Sequence, residues 1–461
     1  MLQDRYETDK FFEYISEKTI QIDPVIAQID VLLDDEELYK LMRSDFAKRY
    51  PKTEETGRKS TPVEVLLRML TVKRLYGLSY EQTEYQVRDS LVLRQFCRVY
   101  FENVPDDTTL IRWANLIGTE TLAAYNQRVT QLATELKVTR GRKLRTDGTV
   151  VETNIHAPSD SRLLADSVRV LGRTLQRAKQ VLSGQTDLGA QVFRNRSRSA
   201  RKTARQVQRL VARQKKAGKQ AYRKLVRIVQ QSVSQAQQVL EALAAHSDPP
   251  AQGLKDTLET FLPRAEQVID QTLRRVFQDE KVPASEKIVS IFEPHTAIIQ
   301  RGKAGKPVEY GRKVWLDEVE GGIVTRWEVL NGNPSDRNQW VPSLDAHQQL
   351  FGKPPTQASA DRGVFSADNE AEAQQRGVKR VVLPKPGKKS QQRRQHEKQP
   401  WFLRVRRWHA GVEGRISVLK RCFNLDRCLN LGEAGFQRWV GWGVIAHNLK
   451  KIGTIVSARS G

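Results

Sequence analysis

Between Leu188 and Leu240 the chain carries no acidic residue at all. Fourteen Lys or Arg lie between Arg194 and Arg227, separated mostly by Gln, Ala and Ser. Apolar Val207, Leu210, Val211, Leu225, Val226 and Val229 thread through them at spacings near three and four. That pattern demands long amphipathic helices with one strongly basic face. Residues 162–285 are therefore expected to form a basic helical insertion, built as a helical hairpin. Most charge runs are solvated faces of mixed sign. This one is unmixed, which favours contact with backbone phosphates through Arg194, Arg196, Arg198, Arg201, Lys202 and Arg205.

The flanking sequence has a different texture. Residues 1–138 read as an all-α N-terminal domain for DNA binding or dimerisation. Thr61-Pro62-Val63-Glu64 and Ser79-Tyr80-Glu81-Gln82 have the form of helix-opening capping boxes, the second following Gly77. A third helix is expected from Asp107 to Leu136. Short helices with tight turns suit a helix-turn-helix reader and equally a plain bundle. Lys143 to Val151 then reads as a strand that reaches Asp147 at its end, followed by Gly148. Strands are expected at Lys287–Phe292, Lys313–Glu318 and Ile323–Leu330, the last two joined through Gly321-Gly322. A helix (337–350), a strand ending at Asp361, a helix (367–376) and a strand (Lys379–Leu383) follow. A basic, Gln-rich loop (384–400) and two terminal helices (401–423 and 433–451) complete the chain. With the insertion removed, a hairpin meander leads into βα units. That is the order of an α/β RNase H-like catalytic domain, assigned to residues 139–161 and 286–461.

Bulk properties narrow the chemistry. Lys and Arg number 77 against 53 acids, a formal charge of +24, so a polyanion is the expected partner. Charge alone would also fit an RNA-coating protein. The three cysteines, Cys97, Cys422 and Cys428, form no CxxC pair, which argues against a disulfide framework or a zinc ribbon. Neither a signal peptide nor a membrane span is expected, and a cytoplasmic location fits.

Three acids hold privileged places: Asp147 and Asp361 at strand ends, and Glu413 in a late helix. Phosphoryl transfer explains the need for such a trio. Mg²⁺ is a hard cation that takes oxygen ligands. Two ions about 4 Å apart stabilise both the attacking and the leaving oxygen of an in-line displacement. On the Glu413 helix, Lys420 lies two turns on and His409 one turn back, on one face. Among other acids, Asp336 reads as a helix cap, Glu152 as a surface carboxylate and Asp160 as a turn or cap residue. His156 reads as structural. Trp401 and Trp408 read as packing residues, with stacking on a flipped base as the alternative.

These strings resemble bacterial insertion-sequence transposases of the DDE type. Asp147-Gly148-Thr149-Val150-Val151-Glu152-Thr153-Asn154-Ile155-His156, with Pro158 to Leu164, resembles their first-aspartate region. Ala360-Asp361-Arg362-Gly363-Val364-Phe365-Ser366 resembles the second. The Glu413 to Lys420 segment resembles their C-terminal Glu helix, and Asn331 to Asp336 has the family look. Residues 62–113 are similar to the N-terminal domain of many such enzymes. The resemblance implies catalytic, metal-binding Asp147, Asp361 and Glu413 and two Mg²⁺ ions, replaceable by Mn²⁺. It also implies DNA contacts from Arg406, His409, Arg415, Lys420 and Arg421. The partners it implies are double-stranded DNA, at element ends and target, and a second copy of the chain at the nucleoid. Where the family has a Tyr-x2-Arg-x3-Glu arrangement, this chain has Arg406 and His409. Better-known relatives carry a β-rich insert before the Glu, so no hairpin-intermediate mechanism is carried over. A non-catalytic DNA-binding protein and a structure-specific nuclease on the same fold are the alternatives.

Overall fold

The computed structural model describes every residue except 20, 50, 51, 53, 54, 184–187, 301–306 and 461. The chain forms two compact units, Met1–Asn154 with Arg312–Gly461, and Ile155–Gly311.

The first unit opens with α1 (Lys10–Thr19), α2 (Pro24–Leu33), α3 (Glu36–Ala47) and α4 (Val63–Leu75). It continues with α5 (Tyr80–Asp89), α6 (Leu91–Phe96), α7 (Asp107–Leu116) and α8 (Thr119–Glu135). Strand β1 (Lys143–Thr153) then leads to the second unit, with α9 (Asp160–Val181), α10 (Ser197–Val211), α11 (Lys215–Leu243), α12 (Pro249–Val276) and β2 (Ala297–Gln300). Strand β3 (Val308–Val319) begins in the second unit and ends in the first. After it come β4 (Ile323–Val329), α13 (Trp340–Phe351), β5 (Gln357–Ser359), α14 (Ala367–Gln375) and β6 (Arg380–Val382). The chain ends with α15 (Gln391–Lys398), α16 (Pro400–Cys422), β7 (Arg427–Cys428) and α17 (Gly432–Ser460).

The Ser79 capping box forms: the Gln82 amide donates to Ser79 Oγ at 3.0 Å and the Ser79 amide to Gln82 Oε1 at 2.9 Å. Gly77 precedes it at φ +68°, the left-handed turn that ends α4. The Thr61 box does not form. Pro62 holds the cap position without a side-chain bond, and Glu64 instead accepts from Arg68 at 3.2 Å. Arg68 is fully buried and takes Asp30, Asp34 and the Phe96 carbonyl as well. A buried guanidinium needs these acceptors more than a helix end needs its cap. The single helix expected over 107–136 is two, because Gly118 sits between them and donates its amide to Asp45 at 2.8 Å.

The N-terminal helices and the sheet share one core. Leu38, Met42, Phe46, Leu66 and Tyr125 pack in the same cluster as Val314, Leu316 and Ile323 and as Trp439, Trp442, Ile445 and Leu449 of α17. A buried amide chain crosses it: Asn448 donates to Asn126 at 2.9 Å and to the Val324 carbonyl at 2.8 Å. So residues 1–138, expected as a separate domain, lie in one compact unit with the sheet.

In that unit the strands run β4-β3-β1-β5-β6, with β7 against the far end of β1. β3 and β4 are antiparallel, joined through Gly321 and Gly322 at φ +84° and +77°. Those angles match a two-residue turn that only glycine adopts freely. β1 is parallel to β5, and β5 to β6.

The second unit holds four helices, α9 to α12, among its described residues, where a two-helix hairpin was expected. Leu164, Leu171, Leu225, Val229, Ala236, Leu258 and Val268 form its core. Its Lys287–Phe292 segment is no strand. The Ile288 backbone is satisfied by the Gln271 side chain, at 2.9 and 3.2 Å, and Ile288 and Ile291 enter the helical core. Asp160 is buried and bound to Gln271 at 3.0 Å and Arg275 at 2.7 Å, an anchor more than a turn residue. The segment expected as a loop over 384–400 contains α15, capped by Ser390 and tied by Glu397 to Arg393 at 2.8 Å. No described helix is long and apolar enough to cross a membrane.

Candidate active site

Parallel pairing of β1 and β5 runs from Lys143 opposite Gln357 to Arg145 opposite Ser359. Asp147 and Asp361 each come two residues later, where the two strands part. Side chains alternate along a strand, so both aspartates share the parity of the last pair. Asp147 is thus inside β1 and not at its end. What ends there is the pairing with β5.

Burial and the neighbouring Asp361 push the Asp147 carboxyl up to about 6, with Asp336 adding to the rise. The Gly148 amide, donated to Asp147 Oδ1 at 2.7 Å, and His409 act the other way. Asp361 behaves oppositely. Its side chain is 70% exposed, and a hydrogen bond from His409 holds it below the usual carboxylate range. His409 Nε2 lies 3.2 Å from Asp361 Oδ1, and its Nδ1 lies 3.3 Å from Ser359 Oγ. The imidazole, buried on α16, therefore spans the end of β5.

Asp336 belongs to the same neighbourhood, although its sequence context reads as a helix cap. It makes no cap bond and pairs with Lys313 Nζ at 2.5 Å. Lys313 also donates to the Pro334 carbonyl at 3.0 Å, and its stem passes Gly148, where an added Cβ would lie 3.2 Å from Cε.

Glu413 is not drawn into this group. It is exposed on α16, one turn beyond His409, and has no hydrogen bond or ion pair among the described residues. No cluster of three or more His, Cys, Asp or Glu that could hold a metal ion occurs among the described residues. Of the other residues expected on this helix, Arg406 and Arg421 are exposed. Lys420 lies 3.9 Å from Asp426. Arg415 is turned inward, to Glu318 at 3.2 Å and to His447 Nε2 at 3.0 Å.

A buried ion network beneath the site escaped the sequence reading. Arg145 binds Glu318 through two bonds, at 3.0 and 2.6 Å, and also donates to the Trp408 carbonyl of α16. Its guanidinium lies 4.8 Å from the Trp408 ring centre. Gly411 lets α16 pass, since a Cβ there would stand 2.7 Å from Arg145 Nη1. β1, β3 and α16 are thus clamped together two residues before Asp147. The available signal was the alternation of Lys143, Arg145 and Asp147, which puts a cation on the same face as the acid.

A sheet that gathers two aspartates and a histidine where its parallel strands separate, in a strongly basic chain, suits an enzyme acting on nucleic acid. Two family models match the chain: a Transposase domain (DUF772) over residues 15–116 and a Transposase DDE domain over residues 369–453. Both are transposase domains, and together they support an insertion-sequence transposase of the DDE type. The second match contains His409, Glu413 and Lys420, while Asp147 and Asp361 fall outside both. No curated protein and no solved structure matches the chain.

Proposed function

We propose that this transposase cleaves DNA at the ends of its element and transfers the freed strand to target DNA, using Asp147, Asp361 and Glu413 on an RNase H-like fold. The observation that carries this reading is the pairing of Asp147 with Asp361 at the parting of β1 and β5. The strand order β4-β3-β1-β5-β6, with its antiparallel hairpin and parallel remainder, supports the fold.

The residues suit a divalent cation. Asp147 is half-buried and its ionised form is opposed by both Asp361 and Asp336, a local excess of negative charge. The donors are hard carboxylate oxygens, as Mg²⁺ or Mn²⁺ prefers. Asp147 and Asp361 would hold the metal, with Glu413 as the proposed third acid. When bound, two Mg²⁺ ions neutralise charge developing on the attacking and leaving oxygens. The chain's own groups set the stage. His409 fixes the Asp361 carboxylate, and the Arg145–Glu318 clamp holds α16 over β1. Exposed Arg406 and Arg421 face solvent, available to DNA. The enzyme acts as a dimer or larger assembly on nucleoid DNA in the cytoplasm.

The test is incubation with duplexes carrying the element's terminal repeats and Mg²⁺. Nicking that leaves a 3′-OH, followed by joining to a second duplex, is the expected result. Cutting without joining would make the protein a nuclease. Binding without cutting would make it a DNA-binding factor.

The second unit contributes DNA grip in this reading. On α10, Arg198, Arg201, Lys202, Arg205 and Arg209 are exposed, opposite buried Ala200, Thr203, Ala204 and Val207. None of the five has a hydrogen bond or ion pair among the described residues. Arg194 is exposed as well, whereas Arg196 is tied to Gln231 at 3.1 Å. Replacing Arg198, Arg201, Arg205 and Arg209 by Gln is expected to weaken duplex binding. The slope of log K against log salt should fall by about 3 to 4, near 0.9 for each phosphate no longer neutralised. An unchanged slope in a fluorescence-anisotropy titration would reassign this face to spacing or subunit contact.

A further inference from the structure

Asp336 opens a single 3-10 turn (Asp336–Gln339) ahead of α13, and Asp361 immediately precedes another (Arg362–Val364) after β5. The two turns pack on one another. Asn369 of α14 fastens them: its side-chain amide donates to the Arg337 carbonyl at 3.1 Å and to the Val364 carbonyl at 2.8 Å. Asn369 is itself held, because its carbonyl accepts the indole N–H of fully buried Trp340 at 2.9 Å. Gly363 closes the gap between the turns. A Cβ on it would lie 3.6 Å from Asp336 Oδ2, so that oxygen faces the turn that carries Asp361.

The two oxygens of Asp336 differ. Oδ1 is buried and pairs with Lys313 Nζ at 2.5 Å. Oδ2 has no hydrogen-bond partner among the described residues, and the side chain is 36% exposed, so water reaches it. Lys313 is only 12% exposed and is fixed by its bond to the Pro334 carbonyl. An aspartate at a helix start is favoured by the helix dipole alone. That explains the charge, but neither the buried lysine on one oxygen nor the fastening of this turn to that of Asp361.

We propose that Asp336 is a positioning residue for the divalent cation of the proposed active site: through Oδ2 it accepts a hydrogen bond from a water on the ion carried by Asp147 and Asp361. The inference rests on that reading of the two aspartates. The described residues hold no cluster of three or more His, Cys, Asp or Glu that could share one ion, so the role of Asp336 runs through water and not through direct ligation. Mg²⁺ and its substitutes keep several waters, and the groups that accept from them set how tightly the ion is held. Lys313 takes Oδ1 and leaves Oδ2 on the side of Asp361. The charge of Asp336 reaches Asp147 as well.

The test is Mn²⁺ binding to the full-length protein, followed at pH 8 by loss of the hydrated ion's EPR signal. Asp336→Ala is expected to weaken the affinity roughly 10–100-fold, the usual scale for losing a hydrogen-bond partner beside a metal's ligands. A double variant, Lys313→Met with Asp336→Ala, removes one charge of each sign and leaves no buried lysine unpaired. The same loss is expected there, because a bond is missing and not only a negative charge. Recovery of affinity in the double variant would reduce Asp336 to a charge and overturn the proposal. If Asp336 only balances Lys313, Asp336→Ala melts lower while both variants bind Mn²⁺ like the wild type, and the proposal fails. Asp147→Asn separates that failure from failure of the site. Undiminished Mn²⁺ binding by Asp147→Asn would mean that the site itself is misplaced, and this proposal would fall with it.

Discussion

Replacing Asp147 by Asn is expected to abolish metal-dependent cleavage while raising the melting temperature of the metal-free protein. The first effect follows from removing a carboxylate charge from the reaction centre. A loss of about 10³-fold or more is expected, on the scale of losing a group that stabilises transition-state charge. The second follows from the same charge when no cation balances it. Asp147 is pushed up to about 6 by burial first and Asp361 second. A carboxyl whose folded pKa is raised costs stability once it ionises. The cost is absent below the unfolded pKa, near 4, grows between there and 6, and is fully present above 6. At pH 8 it is on the order of 2 kcal/mol, reduced by the partial exposure of the group. Asn removes it and can still accept the Gly148 amide, so a gain of a few degrees is expected at pH 8, fading towards pH 4. Asp361→Asn separates the two effects. It should abolish cleavage equally. Asp361 is held low by His409, however, so its ionised form contributes stability that is lost as pH falls, and Asn should bring no gain. An Asp147→Asn protein that cut normally, or that melted lower than wild type at pH 8, would contradict the proposed site.

The two aspartates were legible because local rules place them. A short β-favouring run, an acid and a glycine read alike in any chain, and parallel pairing then brings both acids to one edge. Glu413 was legible as a helix residue, but the direction of its side chain depends on which face of α16 packs. Val405, His409 and Val412 face inward, which leaves Glu413 exposed. Asp336 was under-read for a related reason. Its Pro-Ser turn is a local signal for a cap, while its partner Lys313 lies on another strand. Helix starts were readable where the cap had no stronger claim on it, as at Ser79, and misread where a buried Arg68 took Glu64. The insertion's helicity followed from its periodicity, and the start of α12 is marked by Asp248-Pro249-Pro250, an Asp cap followed by Pro at the first helical positions, a signal that a two-helix hairpin leaves unused. The shared core of the N-terminal helices and α17 joins residues more than 300 positions apart, as in the Asn448–Asn126 bond. Periodicity shows that a face is apolar and never which distant face covers it.

Glu318→Gln is expected to be the most destabilising single polar substitution in the first unit, with a loss of about 3–5 kcal/mol. Glu318 is 1% exposed and receives Arg145 at 2.6 and 3.0 Å and Arg415 at 3.2 Å. Two guanidinium groups depend on one carboxylate, so neutralising it leaves both with uncompensated charge in a site that water barely reaches. An ion pair that solvent reaches from the arginine side offers a contrast. Arg427–Glu152, at 2.8 Å with the arginine 51% exposed, should lose under about 1 kcal/mol on Arg427→Ala. The difference also has a functional side. Arg145 holds the Trp408 carbonyl one residue before His409, and His409 holds Asp361. Loosening the clamp therefore shifts α16 relative to both aspartates. Under conditions where Glu318→Gln remains folded, its cleavage rate should fall although no group at the reaction centre has changed. Glu318→Asp, which restores the charge at a shorter reach, should recover part of the stability. Urea melts of the three proteins give the comparison directly. A loss below about 1 kcal/mol for Glu318→Gln would show that Arg145 and Arg415 find other acceptors and that the clamp does not set the helix.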